Sequence, residues 1–103
     1  MRRWTIIRHR VTGYRLVGLD IGGDIPRISS PVVEIDPDAG TARTESGRLY
    51  RLKDHLAAPG PLQQLLLKHW QSQFGVPDED LELGVAPDDV ALDLVPAANA
   101  RPS

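Results

Sequence analysis

The stretch WTIIRHRVTGYRLVGLDI, residues 4–21, decides the predicted fold because it contains two apolar-rich runs joined by a turn sequence. Thr12-Gly13 separates the runs, and a two-residue turn at this dipeptide would join two antiparallel strands. The register of such a hairpin pairs Trp4 with Ile21, Ile6 with Leu19 and Val11 with Tyr14. One face then carries Trp4, Ile6, Val17, Leu19 and Ile21, with Arg8, Arg10 and Arg15 at its turn end.

Two further turn sequences predict more strands in the first half of the chain. Pro37-Asp38-Ala39-Gly40 separates residues 31–36 from 41–45, and a hairpin there sets Glu34 opposite Arg43, an opposite-charge cross-strand pair. Ser46-Gly47 then turns the chain into residues 48–52. About five short antiparallel strands at this spacing are typical of a small curled sheet or an SH3-like barrel.

The apolar period changes to that of a helix after Pro59-Gly60-Pro61. Leu62, Leu65, Leu66, Trp70 and Phe74 recur at helical spacing, and Gly75 supplies a stop signal. We predict one amphipathic helix over residues 61–74 that covers the sheet with Leu62, Leu66 and Trp70 inward. His69 lies on or beside the apolar stripe, where a packed, hydrogen-bonded histidine is more common than a metal ligand.

The acidic second half carries alternating apolar residues on both sides of Ala86-Pro87-Asp88-Asp89. A hairpin at that turn pairs Val85 with Val90, Leu83 with Leu92 and Leu81 with Leu94, which puts all of them on one face. We expect this C-terminal acidic hairpin to pack on its own domain or at a subunit contact, with Asp88 and Asp89 at the solvent end. The alternative is a disordered segment that orders on a partner.

Length and composition bound the fold class and the location. The 103 residues fit one domain, so we expect a single α+β domain over residues 1–95 and a flexible tail over residues 96–103. The chain has no cysteine, which excludes disulfides, thiolate zinc sites and cysteine nucleophiles. No apolar run is long enough for an export signal or a membrane span, so we expect a cytoplasmic protein without a membrane partner.

Charge is distributed unevenly along the chain. Residues 1–53 contain ten Arg or Lys and six Asp or Glu, a net charge of +4, whereas residues 54–103 contain two and eight, a net charge of −6. The two halves should therefore attract each other. We expect oppositely charged surfaces that pack within the molecule, with an exposed basic binding face as the alternative.

The residues contain no pattern that predicts catalysis. The stretch VGLDIGG, residues 17–23, resembles the first phosphate loop of the actin-like sugar kinases, but Asp24 puts a second carboxylate where phosphates would lie. We expect Gly22-Gly23-Asp24 to form a turn or bulge instead. The histidines have no metal-ligand spacing, and no nucleophile motif occurs. The sequence thus predicts a protein that is not an enzyme and needs no cofactor and no metal.

A second resemblance covers about the first half of the chain. The succession GYRLVG (13–18), ISSPVVEID (28–36) and TESGRLYRL (44–52) resembles a pattern in small uncharacterised proteins of proteobacteria and of their mobile elements. The resemblance implies an accessory or phage-related bacterial origin. It implies no particular fold or activity.

Two functions of different classes fit these features. The first is a small non-enzymatic protein-interaction module, accessory or regulatory, that docks on a protein partner or on a second copy; a phage-type inhibitor of a host complex is one version of it. Its candidate residues in the acidic hairpin are Leu81, Leu83, Asp88, Asp89 and Leu92. The alternative is a nucleic-acid-binding domain, with a basic patch of Arg2, Arg3, Arg8, Arg10, Tyr14 and Arg15. The overall charge of −2 disfavours the alternative.

Overall fold

The computed structural model describes residues 1–20 and 25–94, which form seven strands and two α-helices. In chain order the elements are β1 (Arg2–His9), β2 (Gly13–Leu19), β3 (Pro26–Ile28), β4 (Val32–Asp36), β5 (Thr41–Thr44), β6 (Leu49–Arg51), α1 (Pro61–Phe74), a 3-10 turn (Asp78–Asp80), β7 (Leu81–Leu83) and α2 (Pro87–Asp93). The strands make two antiparallel sheets, ordered β3-β2-β1-β7 and β4-β5-β6. The predicted α+β class is confirmed. The Gly22-Gly23-Asp24 turn and the tail over 96–103 lie outside the described residues.

The first hairpin forms as predicted, but its turn is longer than expected. Residues 10–12 make a three-residue loop between β1 and β2, so the predicted two-residue turn at Thr12-Gly13 is wrong. His9 closes this loop: its Nδ1 atom accepts hydrogen bonds from the backbone N–H groups of Val11 and Thr12, at 3.3 and 3.1 Å. A side chain therefore satisfies the loop amides, and apolar alternation carries no information about that contact.

The longer loop changes the register and buries both faces of the hairpin. Ile6 lies opposite Leu16, and Thr5 lies opposite Val17. Since successive residues of a strand point to opposite faces, Val17 lies on the other face from Ile6, not beside it as predicted. Ile6, Ile7, Leu16 and Val17 are all 0% exposed. The hairpin is thus covered on both sides and forms the centre of the molecule.

The second sheet follows the predicted turns. Glu34 lies opposite Arg43, and their side chains form an ion pair with an N–O distance of 3.6 Å, so this cross-strand pair is confirmed. The chain leaves the first sheet at Ser29, whose hydroxyl accepts the N–H of Leu16 in place of a backbone carbonyl. No strand of the first sheet pairs with a strand of the second within the described residues. Within residues 1–20 and 25–94 no closed barrel forms, and the SH3-like fold is not confirmed.

The elements stack in three layers with the first sheet in the middle. On one face of this sheet, Ile7 and Val17 pack against Leu67 of α1. On the other face, Trp4 and Ile6 join a larger core with the second sheet and α2. That core also contains Met1, Leu16, Val32, Ile35, Ala42, Tyr50, Val85 and Val90.

Helix α1 has the predicted bounds. Pro61 occupies a first-turn position, where its missing N–H costs no hydrogen bond. Gly75 adopts the left-handed conformation, with φ of 65°, and its N–H bonds the carbonyl of Gln71 to end the helix. Cap chemistry is local, which explains why the sequence predicted this element.

The buried face of α1 differs from the prediction. Gln63 and Leu67 are the buried residues of the helix, whereas Leu62 is 52% exposed and His69 is also exposed. The inward placement of Leu62 and the packed environment of His69 were therefore wrong. The Gln63 side chain donates a hydrogen bond to the carbonyl of Arg3 at 2.8 Å, which draws a polar residue to the inner face. The spacing of apolar residues in the sequence does not predict such a hydrogen bond.

The predicted acidic hairpin is not confirmed, because α2 replaces its second strand. Pro87 stands in the first turn of the helix, followed by Asp88 and Asp89, which the positive end of the helix dipole favours. The same tetrapeptide that suggested a turn is thus a helix start. Val90 is buried in the core, but Leu92 is 74% exposed, so the apolar residues do not share one covered face.

Candidate functional site

Strand β7 ends the first sheet and leaves an open groove beside α1. It pairs with β1 on one side, and no strand of the described residues pairs with its other side. The groove has a volume of about 450 Å³. Its lining comprises Gln64, Leu67, Lys68 and Gln71 of α1, Leu81 and Leu83 of β7, and Asp78.

The acidic segment before and within β7 is held by the basic end of β1. The backbone N–H of Arg10 donates to the carbonyl of Asp80 at 2.9 Å, and the two side chains form an ion pair with a distance of 3.2 Å. One residue pair further along, Arg8 lies opposite Glu82. The uneven charge distribution predicted that the two halves pack together. These contacts hold β7 beside β1.

Helix α1 supplies a polar wall to the groove. Gln64, Lys68 and Gln71 follow the i, i+4, i+7 spacing that places residues on one side of a helix. The Gln71 amide donates to the Asp78 carboxylate at 2.8 Å and to the Val76 carbonyl at 3.2 Å. These bonds tie the C-terminal end of α1 to the segment that leads into β7, so they close one end of the groove.

A tight backbone contact fixes the other end. Gly84 directly follows β7 and has a φ of 66°, and a Cβ atom at this position would lie 2.2 Å from the carbonyl oxygen of Ala57. Only glycine fits such a close approach. The segment that precedes α1 and the end of β7 are therefore in direct backbone contact beside Leu83 of the groove.

The floor of the groove is apolar and accessible. Leu67 is buried, Leu81 is half-buried and Leu83 is 50% exposed. An apolar floor, polar walls and an open strand edge together suit an extended peptide, whose backbone can pair with the edge while alternate side chains cover the floor.

The structure divides the predicted basic patch. Arg2 and Arg3 lie at the start of β1, whereas Arg8 and Arg10 lie at its far end or just beyond it, roughly 20 Å away at the rise of an extended strand. Arg15 lies opposite Ile7, hence on the other face of the sheet from Arg8. These side chains do not form one continuous surface.

The remaining residues of that patch have structural contacts. Arg15 donates to the carbonyl of Ser29 at 2.9 Å and lies over Trp70, 5.3 Å from the ring centre, and burial lowers the pKa of its guanidinium. Tyr14 donates its hydroxyl to Asp93 at 2.6 Å, and this hydrogen bond raises the pKa of the phenol. Tyr14 thus ties the hairpin to α2.

Two of the candidate residues from the predicted acidic hairpin reach the groove. Leu81 and Leu83 form its strand side, but Asp88, Asp89 and Leu92 belong to α2, which packs on the opposite face of the first sheet. The sequence prediction missed the contribution of α1 altogether. The sequence does contain a signal for this contribution, because the polar residues at positions 64, 68 and 71 recur on one side of the helix. The predicted apolar stripe did not include them.

Comparisons with known proteins add no further assignment: no family model, curated protein or solved structure matches this chain. Over residues 1–20 and 25–94, no helix is long and apolar enough to cross a membrane. In the same part of the chain, no group of three or more His, Cys, Asp or Glu residues could hold a metal ion. Geometry is therefore the basis for the functional proposal.

Proposed function

We propose that the chain is a protein-interaction module that binds an extended segment of a protein partner as an added strand beside β7. The observation that supports this proposal is the open edge of β7 next to a groove floored by Leu67, Leu81 and Leu83. An added strand would bond its backbone to that edge and lay alternate side chains over the floor. A short segment bound in this way should have a dissociation constant in roughly the micromolar range.

The exposure of Leu83 supports a binding role, and not only a structural role, for the free edge of β7. Proteins usually protect a free strand edge with charge, proline or a covering loop, because an apolar edge promotes aggregation. Strand β3, at the other end of the sheet, follows this rule, since it begins with Pro26 and has α1 packed against its Ile28. Strand β7 has charge protection from Glu82 on one face only, and on the groove side it presents the half-exposed Leu83.

We infer a non-enzymatic accessory or regulatory role in the cytoplasm for such a module, of which an inhibitor of a larger complex is one version. The nucleic-acid alternative stays an untested prediction. Two arginines of the basic patch already have partners within the molecule. Arg10 forms an ion pair with Asp80, and Arg15 contacts Ser29 and Trp70. These contacts support the groove over the arginines as the binding surface.

Selection of peptides from a random displayed library against the full chain tests the proposal. Selected peptides should shift the backbone amide resonances of β7 and of the Gln64–Gln71 side of α1. Leu83→Asp should abolish this binding, because it puts a carboxylate on the apolar floor.

Leu65→Asp is the matched control, since Leu65 is 67% exposed on α1 and lies outside the groove lining. Melting temperatures of both variants establish that they are folded. Peptides that bind elsewhere, or that bind the folded Leu83→Asp variant unchanged, would contradict the proposal.

A further inference from the structure

We propose that the groove selects an extended segment in which apolar residues alternate with Lys or Arg. This inference rests on the proposed function, since it specifies which segment the open edge of β7 accepts. It follows from how the charges of the described residues are distributed over the two faces of β7.

The acidic segment that includes β7 carries two carboxylates that form no ion pair, although Arg8 lies opposite one of them, Glu82. Residues 78–83, DEDLEL, contain four acidic side chains. Asp80 is paired with Arg10, and Asp78 accepts a hydrogen bond from Gln71. The carboxylates of Glu79 and Glu82 are exposed and make no hydrogen bond or ion pair with another described residue. Two negative charges are therefore available to a bound segment.

Alternation along β7 separates these charges from the apolar floor. Leu81 and Leu83 line the groove, so Glu82, between them, points to the opposite face of the sheet. An added strand at the usual spacing of about 4.8 Å would place every second side chain on the face of Glu82 and one of them directly beside it, while Arg8 lies beside Glu82 on its other side. Cationic side chains fit at these positions.

On the side of the added strand that faces α1, apolar side chains are favoured and cationic ones are not. Lys68 is the one charged residue of α1, and it lines the groove together with two glutamines. A cation facing α1 would meet a like charge over an apolar floor, which is unfavourable. Apolar side chains fit there instead. The partner strand should therefore be apolar toward α1 and basic toward Glu82.

A second copy of β7 does not meet this requirement. Two antiparallel copies of DEDLEL would bring acidic side chains against each other, and like charges on neighbouring strands are destabilising. The charge pattern thus favours a basic segment of another protein over self-pairing at this edge.

Four synthetic peptides of eight residues test the inference: alternating Val-Lys, a Val-Val-Val-Val-Lys-Lys-Lys-Lys block, alternating Val-Glu and alternating Val-Thr. Amide shifts locate each peptide on the full chain, and fluorescence anisotropy gives its dissociation constant. The Val-Lys alternation should bind at β7 about tenfold more tightly than the Val-Thr alternation and should weaken with salt. The block and the Val-Glu peptide should bind more weakly than Val-Thr.

Charge variants assign the effect to the edge. Glu82→Gln should weaken the binding of the Val-Lys alternation about threefold, whereas the control Asp89→Asn, on α2, should leave it unchanged. Equal affinities of the alternating Val-Lys and Val-Thr peptides at β7, or equal affinities of the alternation and the block, would overturn the charge pattern and leave the proposed function intact. If none of the four shifts β7 or α1, both the inference and the peptide-binding function are wrong.

Discussion

The β1–β2 hairpin and residues 81–94 contain similar aliphatic side chains but differ in how they are covered. The hairpin has α1 on one face and the second sheet with α2 on the other, so its four central aliphatic residues are inaccessible. Residues 81–94 have one covered side only: Val85 and Val90 are buried, whereas Leu83 and Leu92 are exposed. Burial at these positions is decided by the neighbouring elements and not by the residue type.

The difference has a functional meaning. A segment covered on both sides can only support the fold, because every contact it can make is already made. A segment covered on one side is held in place by its buried residues and can offer the others to a partner. Residues 81–94 are of this second kind, since Val85 and Val90 anchor them and β7 offers Leu83 to a partner.

The largest expected effect is on the hairpin. Ile6→Ala should lower the free energy of unfolding by roughly 2–5 kcal/mol, because it leaves a cavity in the covered centre of the first sheet. Urea unfolding followed by tryptophan fluorescence measures the change. A loss well below 1 kcal/mol would mean that the centre of the sheet repacks or is not covered on both faces.

A pair of substitutions in α2 tests whether one side of the C-terminal segment is really free. Val90→Ala should cost about 2 kcal/mol, since Val90 is buried in the core. Leu92→Ala should cost less than about 0.5 kcal/mol because its side chain is largely in solvent. Similar losses for the two variants in urea unfolding would show that α2 packs with a different face.

The hydrogen bond between Tyr14 and Asp93 links the two regions, and Tyr14→Phe should weaken the link by about 1 kcal/mol. The bond raises the pKa of Tyr14, so its stabilisation is fully present below the ordinary tyrosine pKa of about 10 and is lost as the pH rises through the higher pKa of the folded state. Thermal unfolding of both proteins between pH 7 and pH 11 should show a difference in melting temperature that shrinks as the pH rises above about 10. A difference that does not change with pH would contradict this role of the hydrogen bond.

The ion pair between Asp20 and Arg27 gives the hairpin an anchor with the opposite pH dependence. Arg27 donates three hydrogen bonds to the carboxylate, at 2.8, 3.0 and 2.7 Å, and they lower the pKa of Asp20. The stabilisation is thus present above the ordinary pKa of about 3.9 and is lost as the pH falls through the lower pKa of the folded state. Asp20→Asn should cost about 0.2–1 kcal/mol at pH 7, since both side chains are partly exposed. Its effect should shrink as the pH falls below about 3.9, and an effect that grows in acid would contradict this assignment.

The parts of the fold that sequence could predict depend on local chemistry. The bounds of α1 follow from Pro61 and Gly75, and the pairing of Glu34 with Arg43 follows from the turn that joins β4 to β5. The register of the first hairpin could not be predicted from apolar alternation, because the three-residue loop has its amides bonded by the His9 side chain, a contact without a periodic signal. The start of α2 was misassigned because proline followed by two aspartates suits both a turn and a helix start.

The groove depends on contacts between residues far apart in the chain. Its position depends on the orientation of α1, which the bond from Gln63 to Arg3 helps to fix, and the end of β7 beside it is held by the close approach of Gly84 to Ala57. Neither contact has a periodic signal. Leu81 and Leu83 could be predicted as binding residues from their pattern, but the helix that faces them could not.

The pairing of β1 with β7 also has a consequence for how the chain folds during synthesis. Strand β1 can pair with β2 as soon as the first hairpin has been synthesised. Its other edge stays unpaired until Leu56, whose N–H bonds the carbonyl of Trp4, and later β7 have been synthesised. Pairing between strands so distant in sequence is slow, and an unpaired apolar edge is prone to aggregation meanwhile. Translation that pauses before residues 81–83 should therefore lower the yield of soluble protein.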